Sequence, residues 1–124
     1  MIVLLDTHAL IWALEDSPKL SPVARKLVED AGNVILASVV SGWEIAIKTA
    51  IGRLIAPDDL EAAIDSAGFT KRMITFEDAR RLTSLAVHHK DPFDRMLIAQ
   101  AMVGGISIVT RDPWFAKYPV STIW

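Results

Sequence analysis

Five short apolar runs rich in branched side chains, spaced along the chain with helical patterns between them, constrain the fold more than any other feature of this sequence. They are Ile2 to Leu5, Val34 to Ala37, Arg72 to Thr75, Ile106 to Thr110 and Val120 to Ile123. The first is apolar at successive rather than alternate positions, the mark of a strand buried on both faces. Helical patterns fill the gaps at Ala9 to Leu14, Pro22 to Ala31, Val39 to Ile51, Leu60 to Ala67, Phe76 to Val87 and Phe93 to Val103. Strands that alternate with helices predict an α/β domain with a mainly parallel sheet. Ser21-Pro22, Pro57-Asp58-Asp59 and Asp91-Pro92 mark helix starts, and Gly32, Gly52 and Gly68 fit helix ends. With no internal repeat or flexible linker, residues 1–124 are expected to form one domain.

Composition narrows the chemistry. The absence of cysteine leaves oxygen and imidazole as the strong metal ligands, so a bound metal should be a hard one. The net charge of −2 lacks a basic excess, and a polyanionic partner would need a local basic patch or a bridging cation. The least polar long stretch, Leu97 to Val109, is broken by Gln100 and falls short of the roughly 18 residues of a membrane span. The opening Met-Ile-Val-Leu-Leu-Asp has no basic region of a signal peptide. A soluble, cytoplasmic protein with no membrane partner is expected. The hydrophobic fraction of 52% implies either a dense core or a surface covered by another subunit.

Four acids far apart in sequence then acquire a common address. Asp6 ends the first strand, Glu44 lies in the first turns of the helix after the second, Asp94 opens its helix, and Asp112 follows the strand at Ile106. Strand C-termini and helix N-termini share one edge of a parallel sheet, where ligands bind. Each acid also has a purely local explanation. Asp91-Pro92-Phe93-Asp94 reads as N-cap to N3, Ser41-Gly42-Trp43-Glu44 as a capping box, Asp6 or Thr7 as a cap, and Asp112-Pro113 as a turn opener. Local capping does not account for four like charges at one rim, which repel unless a cation neutralises them.

The segments "LLDTHALIW", "SVVSGWEIAIK", "HHKDPFDRMLIAQA" and "IVTRDPWF", in this order, resemble the PIN-domain ribonucleases, in particular the VapC-like toxins of toxin–antitoxin pairs. The resemblance implies a three-layer α/β/α fold with Asp6, Glu44, Asp94 and Asp112 as catalytic, metal-holding acids. It also implies cleavage of RNA by water activated on Mg²⁺, with Mn²⁺ as the alternative ion, and a cognate antitoxin and a second copy of the chain as partners. Asp91 is assigned chiefly to capping.

Thr110 matches the hydroxyl that lies beside the metal in the family, and Arg111, Arg95 and Lys48 are the basic residues placed to hold RNA. His88, His89 and Lys90 are read as a solvated loop, and His8 as a packing or capping residue. Trp12 and Trp43 are expected in the core at helical spacing. A phosphoacceptor receiver domain needs an acid pair after its first strand, and a haloacid-dehalogenase-like phosphatase needs D-x-D there. This chain has Asp6-Thr7-His8. The remaining alternative is a non-catalytic PIN-fold module that binds RNA or protein.

Overall fold

The structure, a computed structural model, describes residues 1–124. Strands β1 (Ile2–Leu5), β2 (Val34–Ser38), β3 (Thr70–Arg72), β4 (Ser107–Val109) and β5 (Thr122–Ile123) form one sheet in the order β3-β2-β1-β4-β5. Every neighbouring pair is parallel. The helices are α1 (Thr7–Leu14), α2 (Pro22–Glu29), α3 (Val39–Ala50), α4 (Leu60–Ser66), α5 (Phe76–Thr83) and α6 (Pro92–Gly104), with a 3-10 turn at Pro113–Lys117.

Successive strand residues face opposite sides of the sheet, and the two sides build two cores. Val3, Leu5, Ile35, Ala37 and Val109 pack with Leu10, Ala24 and Ile64 of α1, α2 and α4. Leu4 and Ile108 pack on the other side with Val40 of α3, Leu97 and Ile98 of α6, and Phe115 and Tyr118. The result is the expected three-layer α/β/α arrangement with a parallel central sheet. Leu4 and Leu5 are completely buried, and burying a leucine contributes about 1.5–3 kcal/mol.

The chain leaves β1 for β2 and β3 on one side and returns to β4 on the other. That reversal opens a crevice at the C-terminal ends of β1 and β4, the place where such sheets bind ligands. A buried polar link holds the next layer in position. Ser38 Oγ donates to Gln100 Oε1 at 2.6 Å, and Gln100 Nε2 reaches the carbonyl of Met73 at 3.3 Å.

Several boundaries differ from those expected. β3 lies at Thr70–Arg72 rather than Arg72–Thr75, because Thr75 caps α5 in a reciprocal box with Asp78. Asp78 is fully buried, and the Arg72 guanidinium grips it with two bonds of 2.8 and 2.7 Å. Burial alone would raise the Asp78 carboxyl, but its bonds to Arg72 and the Thr75 backbone hold it below the ordinary carboxylate value. α5 stops at Thr83, short of the expected Val87. The Ser41-to-Glu44 capping box does not form, since Ser38 caps α3 and both residues lie inside the helix.

Candidate active site

Asp6 does two things at once. As N-cap of α1 its Oδ1 accepts from the Ala9 amide at 2.8 Å, while Oδ2 accepts from Thr110 Oγ1 at 2.5 Å. Thr110 Oγ1 in turn accepts from the Asp112 amide at 3.0 Å, so one hydroxyl ties the end of β1 to the turn after β4. Asp112 is built the same way. Its Oδ1 caps the 3-10 turn through the Trp114 amide at 2.9 Å, leaving Oδ2 toward the crevice. Capping and gathering of charge are therefore compatible, one carboxylate oxygen serving each. Burial pushes the Asp6 carboxyl above its ordinary value, the Thr110 and Ala9 bonds oppose this, and the charge of Asp112 adds to the rise.

Glu44 reaches the same region from α3. It is buried, with Oε1 accepting from Thr7 Oγ1 at 2.6 Å and Oε2 paired with Lys48 one turn on. The Thr7 and Ser41 hydroxyl oxygens also lie within hydrogen-bond distance at 3.0 Å, tying α1 to α3. Burial tends to strip the Lys48 proton, but the bond to Glu44 and the charges of Glu44, Asp91 and Asp94 outweigh it and raise the ammonium pKa.

Asp94 stands on the first turn of α6, which Asp91 caps by accepting from the Phe93 and Asp94 amides at 2.9 and 3.0 Å. The expected capping role of Asp91 is thus seen directly. The Asp94 carboxyl is pushed up to about 7, first by burial and then by the charge of Asp91, with Glu44 adding to the rise and the bond to His89 opposing it. Its side chain is 18% exposed.

His89 departs from the sequence expectation of a solvated loop. Its Nε2 shares a hydrogen bond of 2.8 Å with Asp94 Oδ2 and lies 3.7 Å from Asp112 Oδ2. The donor atoms of His89, Asp94 and Asp112 all fall within 4.8 Å of one another. The only sequence signal was adjacency: His89 precedes Asp94 by five residues across a loop whose path periodicity does not define.

The remaining predicted residues divide. Lys48 faces the acids through Glu44. Thr110 is buried and acts through Asp6, which does not suit direct contact with substrate. Arg95 turns away from the acids: its Nη1 donates to the carbonyl of Ala86 at 2.9 Å and to Tyr118 Oη at 3.2 Å. Arg111 lies over the Trp12 ring at 4.6 Å and lines a cavity of about 670 Å³ with Asp6, Asp112, His8 and Lys19. His8 is exposed on that cavity, its ring tilted against that of Trp12 at 5.5 Å. Trp12 packs partly against the core as expected, but Trp43 is 57% exposed and meets Phe93 edge-on at 5.0 Å. Trp43, Ile47 and Ile51 recur every fourth residue along α3 and at the turn after it as an exposed apolar stripe.

The PIN domain family model matches residues 3–120. The chain belongs to the PIN-domain family. No curated protein sequence matches it at a significant level. Among solved structures it is similar to VapBC2 from Rickettsia felis bound to a promoter DNA fragment, at 15% identity and TM-score 0.68, covering 99% of this chain and 98% of that one. A toxin–antitoxin complex from Klebsiella pneumoniae is similar at 20% identity and TM-score 0.65, covering 98% and 96%. FitAcB from Neisseria gonorrhoeae follows at 15% and 0.62, with the same coverage of 98% and 96%. At such identities these likenesses speak for the fold.

The donor chemistry of this PIN domain fits a hard divalent cation. Two carboxyl groups, Asp6 and Asp94, are raised first by burial and then in part by neighbouring acids, and Lys48 is an ammonium that feels the charges of Glu44, Asp91 and Asp94. Carboxylate oxygens are the ligands that Mg²⁺ and Mn²⁺ take. Of the four acids expected to hold such an ion, Asp94 and Asp112 come together with His89 within 4.8 Å, whereas the oxygens of Asp6 are engaged by Ala9 and Thr110 and those of Glu44 by Thr7 and Lys48. No helix of this protein is long and apolar enough to cross a membrane.

Proposed function

We propose that this PIN domain is a divalent-metal-dependent endoribonuclease and the toxin of a toxin–antitoxin pair. One observation carries the reading: Asp6, Glu44, Asp94 and Asp112, from four separate elements, lie at the C-terminal edge of the sheet, and donor atoms of Asp94 and Asp112 fall with His89 within 4.8 Å of one another. Such crowding costs stability in a protein that binds no cation there. The toxin half of the reading draws on the similar structures, which are toxin–antitoxin complexes.

A bound Mg²⁺ or Mn²⁺ would supply Lewis acidity, activating water for in-line attack on a backbone phosphorus and steadying the departing oxygen. The chain's own groups prepare the place. Thr110 and the Ala9 amide fix the Asp6 rotamer, and Thr7 with Lys48 fixes Glu44, so little reorganisation remains when substrate arrives. Arg111 and Lys19 line the cavity beside Asp6 and Asp112 and offer cationic contacts to a phosphate chain. With a net charge of −2, the protein relies on these contacts and on the cation to approach RNA. Arg95, expected from the sequence among the RNA contacts, instead holds the loop before α6. The exposed stripe of Trp43, Ile47 and Ile51 supports a protein partner, the antitoxin or a second copy in a homodimer. Action on RNA under the restraint of an antitoxin places the protein in the cytoplasm.

The test is purified chain with single-stranded RNA, in Mg²⁺ or Mn²⁺ and in chelator. Cleavage that chelation abolishes is expected, together with growth arrest on expression alone and its relief by the cognate partner. RNA binding with no cleavage in either ion would favour the non-catalytic binding module instead.

A further inference from the structure

We propose that His89 is a nitrogen ligand to the cation held by Asp94 and Asp112, and that it makes the site prefer Mn²⁺ to Mg²⁺. The inference rests on the metal-dependent reading above and adds to it a residue outside the four acids.

The distances already suit a shared ion. An octahedral ion with bonds of about 2.1–2.2 Å spans donors roughly 3 to 4.4 Å apart. His89 Nε2 stands 2.8 Å from Asp94 Oδ2 and 3.7 Å from Asp112 Oδ2, with all three donors inside 4.8 Å. Small movements bring them onto one centre, the cation replacing the proton that His89 and Asp94 share.

The imidazole is also held for the purpose by groups that gain nothing from a solvated histidine. The Trp114 ring stacks beside it at 6.0 Å and 23°, and the buried Phe115 meets it edge-on at 6.4 Å and 68°. The backbone amides of His88 and His89 both donate to Tyr118 Oη, at 3.1 and 2.9 Å. Arg95 donates to that same hydroxyl and to Ala86, closing the loop from its other side. Tyr118 and Phe115 belong to the core, so the loop inherits the rigidity of the sheet. Together these contacts hold the ring facing Asp94 and Asp112.

The choice of ion follows from the donor. Mg²⁺ dehydrates reluctantly and favours oxygen, whereas imidazole suits transition metals. Four carboxylates alone would discriminate weakly between the two ions, and one nitrogen tips the set toward Mn²⁺. The competing explanation is that His89 merely pairs with Asp94 and Asp112, and leaves when a metal arrives.

Metal-stripped full-length protein is titrated with Mn²⁺ alone and with Mg²⁺ alone, and the Mn²⁺ complex is probed by pulsed electron paramagnetic resonance for coupling to ¹⁴N. The wild type should show an imidazole coupling that His89→Ala and His89→Asn both lose. Mn²⁺ affinity should fall roughly 10- to 100-fold in either variant, with a much smaller change for Mg²⁺. His89→Asn keeps an amide beside Asp94, so a folding defect confined to the alanine variant does not decide the matter. Bound Mn²⁺ without nitrogen coupling, or coupling that persists in both variants, overturns the ligand assignment while leaving the nuclease reading intact. An equal loss for both ions overturns the proposed preference. Failure of the folded wild type to bind either ion overturns both readings.

Discussion

Replacing Asp94 with Asn separates the carboxylate's cost to the fold from its service to the reaction. In the folded protein this carboxyl is pushed up to about 7, from an ordinary value of 3.8. The folded state therefore holds a proton that the unfolded chain releases, and between those values the native state binds more protons. Stability must fall as pH rises from about 4 to about 7, and the penalty is fully developed above that window. At 1.36 kcal/mol per unit, a rise of about 3 units costs about 4 kcal/mol. Solvent at this partly exposed side chain and relaxation of its neighbours reduce the figure to about 2–4 kcal/mol.

Asn retains the shape and an oxygen for His89 but carries no charge. Its loss from the first turn of α6 costs at most about 1 kcal/mol through the helix dipole. Asp94→Asn should thus be more stable than the wild type by about 1–3 kcal/mol near pH 8 in chelator. The gain should vanish near pH 4. Asp6, also raised, contributes a pH slope that the variant keeps. Urea unfolding at both pH values measures the gain, and adding Mn²⁺ should stabilise the wild type far more than the variant. RNA cleavage should collapse, because an amide is a poor ligand for a hard cation. A variant with the wild-type pH slope and no gain near pH 8 would refute the cost of burying the Asp94 charge beside Asp91. Cleavage at near wild-type rate would reduce Asp94 to a helix-start residue.

Asp91→Ala should cost about 0.5–2 kcal/mol in denaturant unfolding, because two amide donors lose their cap, while Mn²⁺ binding by calorimetry persists. Thr110→Val keeps the volume but frees Asp6 Oδ2, so cleavage should fall roughly 10- to 100-fold with unfolding changed far less; an unchanged rate would remove Thr110 from the positioning of Asp6. Arg72→Met leaves the buried Asp78 unpaired and should destabilise by about 3–5 kcal/mol near neutral pH. Because the folded Asp78 carboxyl is lowered, this contribution is present above its ordinary value of 3.8 and fades as pH falls through the folded value, so wild type and variant should converge in acid.

Those responses sort residues by how far sequence alone could place them. Strand positions were legible because a parallel strand buried on both faces must be apolar throughout, as Val3, Leu4 and Leu5 are. The exception was β3, an edge strand with a partly exposed Thr-Lys-Arg sequence, whose apolar neighbours Met73 and Ile74 sit in the exposed connector instead. The acids were legible for a topological reason: any residue just past a strand of this sheet comes to the same edge. Asp6 and Asp112 needed no side-chain information to be paired.

What stayed hidden depends on how a side chain turns after the backbone has delivered it. Helical spacing put Trp43 on an apolar face with Ile47, but spacing does not tell a face that meets the sheet from one that meets a partner. Arg95 adjoins Asp94 in sequence, yet neighbours on a helix point about 100° apart, and its guanidinium goes to Tyr118 and Ala86. His89 lay in the opposite blind spot. A loop has no period, so nothing in "HHKDP" foretold that Tyr118, thirty residues on from His88, would capture both histidine amides and bring one imidazole back to the acids. The two errors share a cause: both residues are placed by a single core hydroxyl, and the partner of that hydroxyl is set by tertiary packing rather than by any local pattern.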